Sequence, residues 1–165
     1  MSVPSDIADQ VTTGGATRQV VGFHLGDEQY GIEITKIQEI ILVGEITRIP
    51  HVPVYIEGLI NLRGSVIPII DLRKRFGIEA RAMTDDTRII VVNVRNKTIG
   101  TIVDAVNEVI RISHEQIDPA PPTITSMGRE HIAGLAKLDQ RLLILLEIEK
   151  VLDQDSLEQV ELTAK

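Results

Sequence analysis

The segment "VVGFHLGDEQYGIEITKIQEII", Val20–Ile41, matches a segment that begins 69 residues later, at position 89 against position 20: "IIVVNVRNKTIGTIVDAVNEVI", Ile89–Ile110. The two align without a gap, and Gly31 falls on Gly100. Because a glycine and polar residues coincide as well as the aliphatic ones, the match indicates a duplicated structural unit. The bland alternative is that two apolar patterns match by chance.

The duplication continues into a second segment. "GLINLRGSVIPIIDLRKRF", from Gly58, aligns with "GLAKLDQRLLILLEIEKVL", from Gly134, after a change in loop length. A unit of about 60 residues is marginally stable alone, so the two units are expected to pack together. The predicted divisions are a flexible N-terminal tail (1–19), a first unit (20–78), a connector (79–87), a second unit (88–152), and a C-terminal tail or short helix (153–165).

Each unit is predicted to contain short strands, because β-branched runs alternate with turn residues. In the first unit the predicted strands are Val20–Leu25, Tyr30–Ile34, Ile46–Ile49, Leu59–Leu62 and Val66–Ile70. Five short strands favour a small closed barrel. Closure also removes unpaired strand edges.

One segment of each unit changes period. In the first unit three isoleucines recur at helical spacing: Ile34, Ile37 and Ile41. This spacing predicts a helical turn. Thr35 with Gln38 resembles a short capping box, and Asp104 is the matching candidate cap in the second unit.

The stretch "NLRGSVIPIIDLRKRFG", Asn61–Gly77, is predicted to be a hairpin that runs into a helical turn. Gly64 can supply the positive φ of a tight turn. Pro68 lacks an N–H, which favours an edge strand or a bulge at that position. Asp71 is a candidate N-cap for the helical turn, which Gly77 can close.

Arg63 stands at the apex of this hairpin. The second unit has Asp139 and Gln140 in place of Arg63 and Gly64. This difference indicates that the fold does not require an arginine there, which favours a special role for Arg63. A solvated turn arginine or a local ion pair remains an open alternative.

Composition excludes several kinds of site. The chain has no cysteine, which excludes disulfides, thiolate metal sites and cysteine nucleophiles. Its net charge is −7, and its one basic cluster, Arg73–Arg75, has no aromatic ladder beside it. Both features disfavour nucleic acid as a partner.

The sequence also lacks the motifs of common enzymes and of membrane proteins. Four widely spaced histidines form no metal motif: His24, His51, His114 and His131. No nucleophile elbow or glycine-rich phosphate loop occurs. We therefore expect no catalytic residues, no cofactor and no metal ion. No apolar run reaches the roughly 18 residues of a membrane span, and the N-terminus does not read as a signal peptide. These features predict a soluble cytoplasmic protein.

Three segments in this order resemble the chemotaxis coupling protein family, CheW: "FHLGDEQYGIEITKIQEI", "TRIPHVPVYIEGLINLRGSVIPIIDLRKRFG" and "IGTIVDAVNEVIRISHEQIDPAPP". The resemblance covers about Val20 to Leu152. It implies a mainly β fold of two small five-stranded SH3-like β-barrels packed side by side, with short helices. It also implies a non-catalytic adaptor that couples transmembrane chemoreceptors (methyl-accepting chemotaxis proteins) to the histidine kinase CheA in bacterial chemotaxis.

The partners implied by this resemblance are the cytoplasmic hairpin tip of the chemoreceptor and the regulatory domain of CheA. The adaptor would be cytoplasmic and recruited to membrane-associated receptor arrays, without direct membrane insertion. Weak self-association in such arrays stays open. Two alternatives are an isolated CheW-like regulatory domain of a chemotaxis kinase and a small-barrel nucleic-acid-binding module.

The resemblance also carries over individual partner-binding residues. The K-x-Q-E-I motif places Ile37 and Glu39 at the receptor, and the arginine of N-L-R-G, Arg63, is implied to matter for coupling. Gly100 and Val109, which flank the equivalent segment of the second unit, are implied to affect receptor binding. One departure is Ser65 after Arg-Gly, where a larger aliphatic residue is common in the family.

Overall fold

The computed structural model describes residues 17–79, 82–121 and 131–152, and in this part the chain is mainly β. The strands are β1 (Thr17–Leu25), β2 (Glu28–Glu33), β3 (Ile37–Leu42), β4 (Ile56–Leu62), β5 (Ser65–Asp71), β6 (Arg88–Val94), β7 (Lys97–Val103), β8 (Ala105–Ser113), β9 (Ile117–Asp118), β10 (Ile132–Leu138) and β11 (Arg141–Leu146). The helices are α1 (Leu72–Arg75) and α2 (Ile148–Val151), with single 3₁₀ turns at Ile34–Lys36 and His114–Gln116. None of these described helices has the length and apolar character that crossing a membrane requires.

The strands form two sheets. The six-stranded sheet has the order β8-β1-β2-β11-β10-β9, and the five-stranded sheet has the order β3-β6-β7-β5-β4. This confirms the prediction of a mainly β fold with short helices, and the two sheets are consistent with the two small β-barrels that the resemblance implies. The predicted C-terminal helix and most of the predicted N-terminal tail lie outside the described residues.

The sheets do not follow the two sequence units, so the prediction that each unit forms its own barrel is wrong. Strands β1 and β2 of the first unit lie in the six-stranded sheet, beside strands of the second unit. Strands β6 and β7 of the second unit lie in the five-stranded sheet. In each sheet the two units are joined twice. One joint is an antiparallel pairing, β1 with β8 and β3 with β6, and the other is a parallel pairing, β2 with β11 and β5 with β7. A sequence repeat reports the order of strands along the chain, whereas these pairings depend on which sheet the chain enters after each hairpin.

The hydrophobic core has three clusters. One is formed by strands of the five-stranded sheet: Ile67, Ile69, Ile89, Val91 and Ile102. A second is formed by strands of the six-stranded sheet: Val20, Ile112, Ala136, Leu143 and Leu145. The third, called the inter-sheet cluster below, combines residues of both sheets, among them Phe23, Ile32, Ile90, Val92 and Val94. Alternate residues of β6 thus enter different clusters, as the two-residue period of a strand requires.

Two predicted boundaries are wrong. Strand β1 begins at Thr17, so the predicted tail takes in three residues of the strand. The predicted helical turn is confined to Ile34–Lys36, after which the chain continues as β3. Strand β3 pairs with β6, which places Ile40 opposite Ile90. Pairing with a buried strand outweighs a helical spacing that extends over barely two turns.

The predicted caps of these turns are also wrong. Glu33, not Thr35, precedes the first 3₁₀ turn, and no side chain caps it. In the second unit the residue after Asp104 begins β8, so Asp104 caps no helix. Its carboxylate instead accepts a hydrogen bond from the backbone N–H of Gly26. A capping box does occur further on, between Ser113 and Gln116.

The predicted strand at Ile46–Ile49 is reduced to one β-bridge, between Thr47 and Leu59. The equivalent position in the other sheet is occupied by the two-residue strand β9, which pairs with β10. Gly58 makes the bridge possible. Its φ is +151°, and a Cβ atom on it would lie 2.1 Å from the carbonyl oxygen of Thr47. Only glycine lets the two backbones approach this closely.

The hairpin of β4 and β5 matches its prediction. Its two-residue turn has φ values of 51° at Arg63 and 88° at Gly64. Strand β5 lies between β4 and β7 and is not an edge strand, contrary to the expectation for Pro68. Its pairing with β7 begins only at Ile69, while Leu59, opposite Pro68, bonds to Thr47 on its other side. The missing N–H of Pro68 therefore breaks no ladder bond.

The caps predicted for helix α1 are confirmed. The Oδ1 atom of Asp71 accepts a hydrogen bond of 2.9 Å from the backbone N–H of Arg73. At the other end, Gly77 has a φ of +71°. The N–H groups of Gly77 and Ile78 donate to the carbonyls of Lys74 and Arg73, over 3.2 and 2.8 Å. This is the Schellman arrangement, which satisfies the last carbonyls of a helix.

Candidate partner-binding surface

Arg63 and Glu39 form an ion pair on the five-stranded sheet. The Nη1 atom of Arg63, in the turn between β4 and β5, donates to the Oε2 atom of Glu39 in β3. The side chain of Arg63 is 71% exposed and that of Glu39 is 20% exposed. Because β3 and β4 end the strand order of this sheet, the pair joins the two ends of the sheet. The open alternative of a local ion pair at Arg63 is thus what the structure contains.

Electrostatics keep both members of this pair charged. The hydrogen bond from Arg63 lowers the pKa of the Glu39 carboxyl below its ordinary value. The same bond raises the pKa of the Arg63 guanidinium. The pair is therefore ionised at neutral pH. A partner that binds this surface would contact a guanidinium that already pairs with the carboxylate of Glu39.

The six-stranded sheet carries an equivalent ion pair. The Nη2 atom of Arg141, at the start of β11, donates to the Oε1 atom of Glu108 in β8 over 3.0 Å. Glu108 is the repeat equivalent of Glu39, but Arg141 stands two positions after Asp139, the equivalent of Arg63. The second hairpin thus contains the same kind of ion pair, with its arginine two positions later. The sequence comparison missed this, so the absence of an arginine at position 139 does not by itself mark Arg63 as special.

Ile37 begins β3 and packs, half-buried, against the inter-sheet cluster. The register between β3 and β6 shifts here: Ile37 lies opposite Val92, and Glu39 lies opposite Val91. Gln38 is the extra residue of a bulge, and a bulge bends its strand and redirects its side chains. The bulge lets Ile37 face the core while Glu39 meets Arg63.

Gly100 lies buried in β7, on the same sheet but away from the surface. A Cβ atom there would lie 2.5 Å from Cδ1 of Ile69 and 2.8 Å from Cγ2 of Ile89. Gly100 is therefore a packing position. Any effect of Gly100 on a partner would be transmitted through the core of the five-stranded sheet.

Val109 lies on the other sheet, in β8, and is 52% exposed. Its repeat equivalent is Ile40, also an exposed aliphatic residue on an outer strand. Val66 and Leu142, which are equivalent positions of the two hairpins, are exposed as well. Each sheet thus has an ion pair and two exposed aliphatic residues on the same two elements. Neighbouring residues of a strand point to opposite faces, so each set shares a strand and a hairpin but not a single face. We call these sets the first patch (Glu39, Arg63, Ile40 and Val66) and the second patch (Glu108, Arg141, Val109 and Leu142).

Sequence reasoning missed most members of these two patches. Of the five predicted site residues, Glu39, Arg63 and Val109 belong to the patches, whereas Ile37 and Gly100 lie beneath or beside them. Strand parity could have identified Ile40, since Ile41 on the next position enters the core. Parity does not identify Arg141, because its role depends on the approach of β8.

A pocket of about 200 Å³ beside helix α1 is lined by several charged residues. Its charged lining residues are Arg48, Glu57, Asp71, Arg73, Lys74 and Asp104. These groups pair with one another: Lys74 with Glu57 at 2.5 Å, and Arg73 with Asp104. Burial and then the nearby Glu57 raise the pKa of the Asp71 carboxyl, against the hydrogen bond from Arg73. In the described part of the chain, no cluster of acidic residues and histidines has an arrangement that would hold a metal ion.

Comparison with known proteins identifies a family model and a solved structure to which this chain is similar. The family model described as the CheW-like domain matches residues 19–156. The crystal structure of the scaffolding protein TtCheW from Thermoanaerobacter tengcongensis superimposes with a TM-score of 0.78 at 40% sequence identity. That match covers 86% of this chain and 96% of the other.

Curated relatives agree with the family model. The chemotaxis protein CheW of Klebsiella aerogenes is 41% identical over 143 residues, which cover 87% of this chain and 86% of the relative. The chemotaxis protein CheW of Helicobacter pylori is 39% identical over 137 residues, 83% of this chain and 82% of the relative. The one of Bacillus subtilis is 36% identical over 147 residues, 89% of this chain and 92% of the relative. With a match that runs from β1 past α2, the chain belongs to the CheW-like domain family.

Proposed function

We propose that this chain is a non-catalytic chemotaxis adaptor that couples transmembrane chemoreceptors to the histidine kinase CheA. Membership in the CheW-like family supports the chemotaxis role. The observation that carries the adaptor role is the presence of two similar patches on two different sheets. Each patch combines an ion pair with two exposed aliphatic side chains on one strand and one hairpin, so a receptor could contact both sheets while the remaining surface stays open to a second macromolecule.

The receptor is proposed to bind across Ile37, Glu39, Arg63 and Val109. The family that this chain resembles binds the cytoplasmic tip of the chemoreceptor, which is a helical hairpin. A helix that docks on a groove uses apolar anchors at its centre and polar pairs at its rim. Val109 and the exposed edge of Ile37 would supply the apolar contacts. Glu39 and Arg63 would supply the rim.

The regulatory domain of CheA is proposed to bind surface that the receptor leaves free. In the family this domain shares the fold of the adaptor. Because its contacts are separate from those of the receptor, both partners would contact the chain at the same time. The chain would then be cytoplasmic and recruited to receptor arrays at the membrane. Neither partner requires a cofactor or a metal ion on this chain.

Co-sedimentation tests the receptor half of this proposal. Vesicles that carry a chemoreceptor cytoplasmic fragment are mixed with the chain, and the bound fraction is measured against vesicles alone. We expect saturable binding that is weakened at least tenfold by Val109→Asp, because the new carboxylate would lie in the apolar contact. The control is Lys137→Ala, which removes an exposed cation paired with Asp118 outside both patches. Equal binding by all three proteins would contradict the assignment of Val109.

A further inference from the structure

Helix α1 contains the one basic cluster noted in the sequence, and the proposed function uses none of it. Arg73, Lys74 and Arg75 follow β5 directly, so they are carried by the five-stranded sheet. Each of the three contacts a different part of the fold: Arg73 contacts the crossover from β7 to β8, Lys74 contacts β4, and Arg75 contacts helix α2.

Arg73 reaches the six-stranded sheet through Asp104. Arg73 is only 7% exposed and forms an ion pair with Asp104, which lies where the chain crosses from β7 to β8. Asp104 is itself held by the hairpin of β1 and β2. Its Oδ2 atom accepts from the N–H of Gly26 at 2.7 Å, and its own N–H donates to the carbonyl of His24 at 3.0 Å. A buried cation on one sheet is thus tied to a carboxylate anchored on the other.

Arg75 reaches the same sheet through helix α2, which follows β11. The Nε atom of Arg75 donates to the carbonyl of Val151 at 2.9 Å. A second arginine, Arg95 in the turn between β6 and β7, donates to the carbonyl of Leu152 at 3.0 Å. The last carbonyls of a helix lack partners within the helix. Here two arginines of the five-stranded sheet supply those partners.

We propose that Arg73, Arg75 and Arg95 form an inter-sheet clasp that fixes the orientation of the two sheets and so the spacing of the first and second patches. The inter-sheet cluster already holds the sheets together, but apolar burial is non-directional and tolerates small rotations. Hydrogen bonds and ion pairs to fixed carbonyls and to Asp104 are directional. The cluster therefore supplies adhesion, and the clasp supplies orientation. These three arginines are positioning residues.

Lys74 provides a matched control within the same helix. Its Nζ atom contacts Oε1 of Glu57 at 2.5 Å, and Glu57 lies in β4, on the same sheet that carries α1. Removing Lys74 deletes a cation and a half-buried ion pair without removing a contact between the sheets. A general effect of weakening α1 would appear in both variants, whereas loss of the clasp would appear in only one.

The absence of cysteine makes a distance measurement direct. Leu42→Cys on β3 and Leu142→Cys on β11 place one spin label on each sheet, because both side chains are exposed. Double electron–electron resonance on the full chain then gives the distribution of distances between the sheets. We expect one narrow distribution in this background and at least a twofold increase in its width with Arg75→Ala and Arg95→Ala together. Lys74→Ala should leave the width unchanged.

Arg75→Lys with Arg95→Lys should recover part of the narrow distribution, since an ammonium can still donate to a carbonyl. If the double alanine variant fails to fold, Arg95→Ala alone is measured, because Arg95 lies in an exposed turn. An unchanged width in the folded alanine variants, or equal broadening with Lys74→Ala, would overturn the clasp.

A binding measurement extends this test and rests on the proposed function, since the proposed receptor contacts include Arg63 on one sheet and Val109 on the other. The double alanine variant should bind the receptor vesicles about fivefold to tenfold more weakly. Failure of the unsubstituted chain to bind at all would reject the receptor proposal and leave the clasp to the distance measurement. Broadening without any loss of affinity would reject the link between the clasp and the patches.

Discussion

Arg141 donates a hydrogen bond to Glu108 over 3.0 Å, from the start of β11 to an outer strand of the six-stranded sheet. Arg63 and Glu39 make the corresponding contact on the five-stranded sheet. The two ion pairs show that the duplicated units have conserved an interaction between strand and hairpin, although the arginine occupies different positions in the two hairpins. This relationship provides a matched internal control for the role of Arg63.

Arg63→Ala and Arg141→Ala are expected to have different effects on binding. Both substitutions remove an exposed guanidinium from an ion pair, so their melting temperatures should fall by similar, small amounts. Arg63 belongs to the proposed receptor surface and Arg141 does not. Receptor affinity, measured by calorimetric titration with a hairpin fragment, should fall at least tenfold for Arg63→Ala and less than twofold for Arg141→Ala. Equal losses of affinity would show that both pairs act only by bracing their sheets.

Gly100→Ala is expected to destabilise the chain by about 1–3 kcal/mol, because the new methyl group would overlap Cδ1 of Ile69 and Cγ2 of Ile89. Chemical denaturation measures this loss. Ile69→Val removes the Cδ1 atom at 2.5 Å, so the double variant should be less destabilised than the sum of the two single variants. Additive losses would mean that Gly100 acts in some way other than packing against Ile69.

The parts of the fold that the sequence predicted depend on neighbours along the chain. The turn at Arg63 and Gly64, the cap at Asp71 and the Schellman closure at Gly77 all follow from local backbone chemistry, and all are present. The predicted helical turn through Ile41 is absent, because β3 gains more stability by pairing with β6 than a short helix would provide. Local preference decides a structure only where no distant strand competes for the same backbone.

The distribution of strands between the sheets and the second ion pair could not be predicted in this way. The repeat correctly aligned Glu39 with Glu108, but it could not show that β1 pairs with β8, from the opposite unit. Arg141 meets Glu108 only because of the way the six-stranded sheet brings β8 near the second hairpin. Contacts of this kind depend on sheet topology, which one sequence without its homologues does not contain.

Asp71→Asn is expected to raise the melting temperature at pH 7, while Asp71→Ala lowers stability by about 1 kcal/mol through loss of the cap. An asparagine oxygen can still accept from the N–H of Arg73, and it carries no charge to be repelled by Glu57. Burial raises the pKa of the Asp71 carboxyl in the folded chain. The contribution of the Asp71 carboxyl to the stability of the folded chain is therefore most favourable below its unfolded pKa of 3.8, and it is lost as pH rises through the higher folded pKa.

The advantage of Asp71→Asn over the unsubstituted chain should accordingly shrink as pH is lowered from 7 towards 4. Thermal unfolding followed by circular dichroism at several pH values measures it. A melting temperature for Asp71→Asn at pH 7 as low as that of Asp71→Ala would show that Asp71 stabilises α1 through its charge.

Glu149→Gln should have the opposite pH dependence. The hydrogen bond from Lys36, at 2.5 Å, lowers the pKa of the Glu149 carboxyl below its ordinary value of 4.5. The stability from this pair is present above pH 4.5 and is lost as pH falls through the lower folded pKa. Because both side chains are partly exposed, the loss at pH 7 should be below about 1 kcal/mol. The unsubstituted chain and Glu149→Gln should have equal melting temperatures at pH 3. A difference between their melting temperatures that widens as pH falls would contradict the pairing of Lys36 with Glu149.

The central claim is that this chain bridges two macromolecules, and a three-component sedimentation measures it most directly. Vesicles that carry the chemoreceptor cytoplasmic fragment are mixed with CheA, with or without the chain, and the sedimented kinase is quantified. The adaptor proposal predicts that the chain raises the sedimented kinase severalfold, that the Val109→Asp variant does not, and that Lys137→Ala acts like the unsubstituted chain. Equal amounts of sedimented kinase with and without the chain would contradict it.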